Sequence, residues 1–129
     1  MSEANVEVVR TIYEAFARGD FSVVDSFSDD FVFVTSPELP DAGEYRGEQA
    51  IGFIKAWVET FGDLRMEATE ILEAVDDKVF VELLQRGAPS GTDTVVEGRW
   101  WQVATLREGE VVRAETFAER TEALEVAGF

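Results

Sequence analysis

The sequence predicts a single domain of the α+β class, residues 1–129, with helices packed on one face of a curved antiparallel sheet. Apolar residues recur with a period near 3.6 in the first half of the chain and near 2 in the second half. No helical segment separates the late strands, whereas a doubly wound parallel sheet needs a helix between successive strands. The chain shows no internal repeat, low-complexity tract or linker that would divide it.

Three helices are predicted in the first half of the chain. The first runs from Asn5, a suitable N-cap, to Arg18, and Gly19 ends it. A short second helix follows from Asp20 to about Ser28. The third runs from Glu48 to Phe61, has the most regular apolar spacing and ends at Gly62. Each helix therefore has one apolar face to bury.

One strand is predicted before the third helix and four after it. The first covers residues 31–37, and the following segment 38–47 has no periodicity, which indicates a loop. A last short helix is expected over Thr121–Val126. The four late strands, which form an antiparallel meander, are Leu64–Val75, Lys78–Arg86, Thr94–Leu106 and Glu110–Glu119.

The last predicted hairpin begins with two adjacent tryptophans, Trp100 and Trp101. Neighbouring side chains on a strand point to opposite faces, so only one of the two can face the core. A three-residue loop that ends with Gly109 in the left-handed region would pair Leu106 with Glu110. Counting outward from this pair assigns each tryptophan to a face.

The two faces of this hairpin differ in chemistry. One is uncharged, and it suits the concave side of a sheet around a cavity; it carries Trp100 opposite Thr116 and Gln102 opposite Ala114. The other combines aromatic and charged residues, as a subunit interface does; it carries Trp101, Arg99 and Glu115. A slip of one residue would exchange the two faces.

Composition excludes several functional classes. The chain has no cysteine and no histidine, which excludes disulfides, zinc–thiolate sites and catalysis by a Ser-His-Asp or Cys-His set. The net charge of −16 disfavours nucleic acid and anionic membrane surfaces as partners. The first residues, MSEANVEVVR, do not resemble a signal peptide. We therefore expect a cytoplasmic protein without a metal site or cofactor.

Five short segments resemble the SnoaL-like branch of the nuclear transport factor 2-like superfamily. The resemblance covers about Val6 to Ala127, and the segments follow one another at the superfamily's usual spacing. They are YEAFARGDF (13–21), FSDDFVF (27–33), YRGEQAI (45–51), LREGEVVR (106–113) and TEAL (121–124). The resemblance implies a cone in which the curved sheet wraps around three N-terminal helices and a central pocket opens at the wide end. It also implies a homodimer formed through the convex face of the sheet.

The superfamily includes ketosteroid isomerases, whose chemistry needs a carboxylate base, a tyrosine and a neutral carboxylic acid. The resemblance places the tyrosine at Ile12, with Tyr13 one position and about 100° of helix rotation away. It places the base at Thr35 and the second acid at Trp100 or Trp101. None of these residues supplies a carboxyl group, so we expect this chemistry to be absent.

Limonene epoxide hydrolases belong to the same superfamily and use an Asp-Arg-Asp set. The resemblance places Leu83, Gln85 and Thr116 at those positions, with Phe33 and Thr35 where a water-holding Tyr and Asn would lie. Leucine, glutamine and threonine cannot exchange protons as that set does. SnoaL-type cyclases use an acidic residue in the pocket, and Glu38, Asp41 or Glu44 could reach the rim.

The residues assigned to the pocket are apolar or neutral, as in many small-molecule sites. Its expected lining is Ile12, Phe16, Phe33, Thr35, Trp57, Leu83, Gln85, Trp100, Gln102 and Thr116. We expect it to bind a small apolar or lightly polar molecule without a known catalytic set. One alternative is an isomerase, cyclase or hydrolase with an unrecognised carboxylate, for which Glu97 and Glu115 are further candidates. Another is a non-catalytic dimeric interaction module whose pocket is filled core.

Overall fold

A computed structural model describes residues 2–36 and 42–129. The α-helices in these residues are α1 (Ser2–Ala17), α2 (Glu48–Glu59) and α3 (Arg120–Ala127), and a 3-10 helix covers Ser22–Ser26. The strands are β1 (Val32–Thr35), β2 (Gly43–Arg46), β3 (Arg65–Glu73), β4 (Lys78–Gly87), β5 (Val96–Arg107) and β6 (Glu110–Phe117). This order confirms the predicted α+β class. No helix in the described residues is both long and apolar enough to cross a membrane.

The six strands form one curved sheet in the order β2-β1-β6-β5-β4-β3. All neighbours are antiparallel except β1 and β6, which run parallel, so the predicted curved antiparallel sheet is mixed at this one pair. Strands β3 to β6 follow one another in the chain, and the connections between them, two short turns and the longer segment 88–95, reverse the strand direction each time. The connection from β1 to β6 passes through α2 and four other strands, so no hairpin fixes their relative direction.

Strand β2 lies in the segment 38–47, for which the sequence predicts only a loop. It is an edge strand of four residues, and Tyr45 is its one side chain that is not fully exposed. Such a strand buries too little apolar surface to show the alternation by which strands are recognised. The second predicted helix is also shorter than expected, because only Ser22–Ser26 forms a helix, of the 3-10 type.

The last hairpin has a different register from the predicted one. Its loop is a two-residue turn in which Glu108 and Gly109 have φ angles of 53° and 79°, as a type I′ turn requires. A bulge then leaves Val112 without a partner, because Leu106 pairs with Val111 while the preceding residue pairs with Arg113.

The shorter loop and the bulge each shift the pairing by one residue. Gln102 therefore pairs with Thr116 where Ala114 was predicted, and Trp101 pairs with Phe117. Two shifts of one residue add to an even number, so Arg113 to Phe117 lie on the faces that the predicted register gives them. Before the bulge the face differs, because Val111 lines the interior where the prediction placed Val112. The uncharged face lines the interior of the fold, and the charged face lies on the other side of the sheet.

The two faces of the sheet support separate cores. The inner face packs against α1 and α2 through a large cluster that includes Val9, Phe31 and Leu83. The outer face carries a smaller cluster in which Phe80, Val103 and Phe117 pack beneath the alanines of α3. Because α1 is amphipathic and α3 presents Ala123 and Ala127, each helix has a stripe that matches its face. The inner face is the one that positions the candidate site.

Candidate functional site

A cavity of about 160 Å³ lies between the inner face of the sheet and the helices α1 and α2. All of the residues that the sequence assigns to the pocket line it: Ile12, Phe16, Phe33, Thr35, Trp57, Leu83, Gln85, Trp100, Gln102 and Thr116. Whether they contact a ligand stays a prediction. The lining also includes residues that the sequence did not single out, among them Tyr13, Phe53, Met66, Ala104 and Ala114.

Helical and strand periodicities bring this lining together. On α1, Ile12 and Phe16 are four residues apart and lie on one face, with Tyr13 beside them. On the strands, every second side chain faces the cavity, as Leu83 and Gln85 do on β4. Small residues at Ala104 and Ala114, which pair across β5 and β6, leave the space that the cavity occupies.

Three side chains form a hydrogen-bonded chain across the cavity wall. The Tyr13 hydroxyl donates to Oε1 of Gln102, and Nε2 of Gln102 donates to Oγ1 of Thr116 at 3.0 Å. Burial raises the pKa of Tyr13, so its phenol stays protonated throughout the physiological range. This hydrogen-bonded chain joins α1 to β5 and β6 and provides partners for both ends of the partly buried Gln102 amide.

A second polar contact lies where α2 meets β4. Nε1 of Trp57 donates to Oε1 of Gln85 at 3.0 Å. Trp57 is 39% exposed, whereas Gln85 is 7% exposed, so the tryptophan lies at the edge of the cavity and holds an amide inside it. An indole nitrogen can only donate, which fixes the amide with its oxygen toward Trp57. On β1, the hydroxyl of Thr35 accepts a hydrogen bond from the backbone N–H of Gly43 at 2.9 Å.

No acidic or basic side chain is among the described residues that line the cavity. Two of the candidate carboxylates, Glu97 and Glu115, lie on the outer face, paired with Arg86 at 2.7 Å and Arg113 at 3.2 Å. A third, Glu44, is exposed and pairs with a neighbouring arginine. The other two, Glu38 and Asp41, lie outside the described residues. Within residues 2–36 and 42–129, no cluster of metal-ligating side chains is present.

The strongest ionic network lies on the outer face and belongs to Glu82. Its carboxylate accepts hydrogen bonds from Trp101 at 2.9 Å and from Arg99 at 3.0 Å. Arg120 reaches it at 3.2 Å and also reaches Glu70 at 2.8 Å. The hydrogen bond from Trp101 makes the largest contribution to lowering the pKa of Glu82. This network holds the start of α3 against the sheet and takes no part in the cavity.

Tyr13 is the site residue that sequence reasoning missed. The resemblance placed the functional tyrosine at Ile12, and a helix rotation of about 100° suggested that Tyr13 would face elsewhere. The cavity is wide enough for both residues to border it. The signal in the sequence was the position of Tyr13 between Val9 and Phe16 on the apolar face of α1, where all three are buried.

Comparisons with known proteins agree with this fold. The sequence model of the SnoaL-like domain matches residues 9–114. A solved protein from Jannaschia sp. CCS1, provisionally described as a SnoaL-like polyketide cyclase, is 21% identical, with 98% of this chain and 92% of that chain covered and a TM-score of 0.72. AclR from Streptomyces galilaeus, provisionally described as a hydroxylase, is 18% identical, with coverages of 99% and 87% and a TM-score of 0.75.

A third similar structure is TerC, co-crystallised with polyporic acid. It is 22% identical, with 96% of this chain and 97% of TerC covered and a TM-score of 0.70. No curated protein matches the sequence significantly. At these identities the solved structures establish a shared fold, and the match of the domain model establishes the family.

Proposed function

This chain belongs to the SnoaL-like domain family, and from that membership we propose that it is a pocket protein that binds one small apolar or lightly polar molecule. The observation that carries the proposal is the cavity itself, whose described lining is apolar except for neutral hydrogen-bonding groups. Such a lining favours transfer of an uncharged molecule from water and offers no counter-ion to a charged one.

The size of the cavity limits the ligand. An apolar cavity of about 150 Å³ in another protein holds benzene, and this one measures about 160 Å³. One six-membered ring with small substituents therefore fits inside the fold. A larger ligand would extend past Trp57 at the edge of the cavity.

The enzymatic alternative needs an acid or a base in contact with the ligand. The described lining holds no carboxyl, amino or guanidinium group, and its threonines and glutamines do not titrate near pH 7. Tyr13 keeps its proton, which it donates to Gln102. Relatives described as a cyclase and a hydroxylase show that this fold occurs in proteins assigned to catalysis. We propose binding without turnover for this chain, and chemical change of a bound compound would contradict that part of the proposal.

The proposal can be tested with a thermal-shift and native-mass-spectrometry screen of small ring compounds. A compound present at one hundred times its Kd stabilises the fold by about 2.7 kcal/mol, which is a readily measured rise in Tm. The variant Ala104→Leu fills part of the cavity and should lose both the Tm rise and the bound mass. Ala56→Leu adds the same side chain at an exposed position of α2 and serves as the control. Absence of binding for every uncharged ring compound would overturn the proposal.

We further propose that two copies associate through the outer face of the sheet. The proposal is supported by the mixed character of this face, which carries half-buried Leu84 and Val34 beside Arg99 and Arg113. Helix α3 already covers Phe80 and its neighbours, so the association would use the strands beyond it. Sedimentation equilibrium should give twice the chain mass of 14.4 kDa. A single species at the chain mass up to 100 μM would contradict it.

A further inference from the structure

We infer that the cavity recognises a neutral carbonyl-bearing ring compound, whose oxygen accepts hydrogen bonds from Gln85 and Trp100. The inference rests on the proposed function and specifies its ligand class. It is carried by two residues that line the cavity and whose side-chain N–H groups have no hydrogen-bond partner within residues 2–36 and 42–129.

The first group is the side-chain amide nitrogen of Gln85. Its Oε1 is held by the indole of Trp57 at 3.0 Å, which directs Nε2 away from that indole. Gln85 is 7% exposed, and its Nε2 is not one of the completely buried side-chain atoms without a partner, so a molecule in the cavity can reach this nitrogen. A hydrogen bond from this amide to an acceptor would contribute favourably to binding. Nε2 can donate only, so the missing partner must be an acceptor.

The second group is the indole Nε1 of Trp100. This nitrogen lies 3.4 Å from the point where a Cβ atom of Gly98 would stand, so the indole folds over Gly98 along the inner face of β5. Gly98 is the cross-strand partner of Gln85. The indole N–H therefore lies on the same part of the inner face as the amide of Gln85. A Cβ atom at position 98 would be in van der Waals contact with the indole nitrogen.

The two groups select the chemistry of the ligand. Both can only donate hydrogen bonds, so the ligand must present an acceptor such as a carbonyl oxygen. No arginine or lysine is among the described residues of the lining, and the chain has a net charge of −16, so an anionic acceptor is disfavoured. The apolar side chains of the rest of the cavity would contact the ring of the ligand.

The experiment compares acetophenone with ethylbenzene, which has the same ring and nearly the same shape without the oxygen. Binding constants are measured by isothermal titration calorimetry for the wild type and for Trp100→Phe, Gln85→Glu and Trp101→Phe. Gln85→Glu keeps an oxygen that accepts from Trp57 and removes the amide NH₂ group of residue 85. Trp101→Phe is the matched control, because this neighbouring indole donates to Glu82 on the outer face.

Comparing the ratio of the two Kd values between wild type and variant cancels the different hydrophobicity of the two probes, and it also cancels any loosening of the cavity that affects both probes equally. We expect the preference for acetophenone to fall about three- to tenfold in Trp100→Phe and in Gln85→Glu, and to stay within twofold in Trp101→Phe. The chain has three tryptophans, so its indole N–H signals in a ¹H–¹⁵N spectrum can be assigned from these variants. Acetophenone should move the Trp100 signal more than ethylbenzene does.

Two results would contradict the inference in different ways. An unchanged ratio in both Trp100→Phe and Gln85→Glu, with both probes bound by the wild type, would overturn the donor pair and leave the proposed function standing. Failure of the folded wild type to bind either probe at millimolar concentration would count against the proposed function itself, and the donor pair would fall with it.

Discussion

The indole N–H of Trp101 donates to the carboxylate of Glu82 at 2.9 Å, on the face of the sheet opposite the cavity. Its neighbour Trp100 lines the cavity. Two adjacent residues of one type therefore serve different functions, one in an ionic network and one in the candidate site. The alternation of a β-strand is sufficient to separate them.

Removing the charge of Glu82 should destabilise the fold. Glu82→Gln keeps the shape of the side chain but weakens its hydrogen bonds from Trp101 and Arg99, and we expect a loss of about 1–2 kcal/mol in the free energy of unfolding at pH 7. The control is Glu97→Gln, because the pair of Glu97 with Arg86 is exposed on both sides and should contribute less than about 1 kcal/mol. Urea unfolding measures both. Equal losses in the two variants would contradict the importance of the network.

The same carboxylate should make stability depend on acidic pH. The hydrogen bond from Trp101 lowers the pKa of Glu82 in the folded state below that of an unfolded chain, near 4.3. A group with a lowered folded pKa stabilises the fold above the unfolded pKa, and this contribution is lost as pH falls through the folded pKa. The stability difference between wild type and Glu82→Gln should therefore be constant from pH 7 to 5.5 and shrink below pH 4. A difference that is constant down to pH 3 would contradict the prediction.

The buried phenol of Tyr13 should make the free energy of unfolding depend on pH in the alkaline range. Burial raises its pKa in the folded state, so it stabilises the fold fully below the unfolded value, near 10, and this contribution is lost as pH rises above that value. Tyr13→Phe should lose about 1 kcal/mol at pH 7, because Gln102 loses its donor. Between pH 10 and 11.5 the variant should lose less further stability than the wild type. Unfolding curves across this range test both statements, and parallel curves would contradict the second.

Two threonines should respond in opposite ways to the same substitution. The hydroxyl of Thr105 is buried and has no hydrogen-bond partner among the residues that the structure describes, so Thr105→Val should leave stability unchanged or raise it by about 1 kcal/mol. The hydroxyl of Thr116 accepts from Gln102 at 3.0 Å, so Thr116→Val should lower stability by about 1 kcal/mol. Thermal unfolding of the two variants side by side is the measurement. Destabilisation by Thr105→Val would indicate that its hydroxyl is satisfied in solution.

The parts of the fold that follow from periodicity could be predicted from the sequence. Regular apolar spacing identified the helix that begins at Glu48, and alternation identified the four late strands. Strand β2 could not be predicted because it buries almost nothing, with Tyr45 as its one partly covered side chain. The parallel pairing of β1 with β6 depends on a long-range connection, which local patterns do not encode.

The cavity lining was predictable for a related reason. Face assignments depend on whether a residue number is odd or even, so Gln102 and Thr116 were assigned to the interior although their pairing was predicted wrongly. The hydrogen bond between Tyr13 and Gln102 was not predictable, because it depends on how α1 is rotated over the sheet. The partner of Gln85 proved to be Trp57, from a helix whose distance to β4 the sequence does not give.

The bulge at Val112 determines which side chains of β6 face the cavity. Had that strand continued regularly from Val111, the guanidinium of Arg113 and the carboxylate of Glu115, now 3.2 Å apart outside, would have turned inward. The one extra residue in the strand therefore keeps the cavity neutral. Without it, the same strand would place a guanidinium and a carboxylate inside the cavity. In this strand, spacing alone would therefore decide whether its charged side chains face the interior or the solvent.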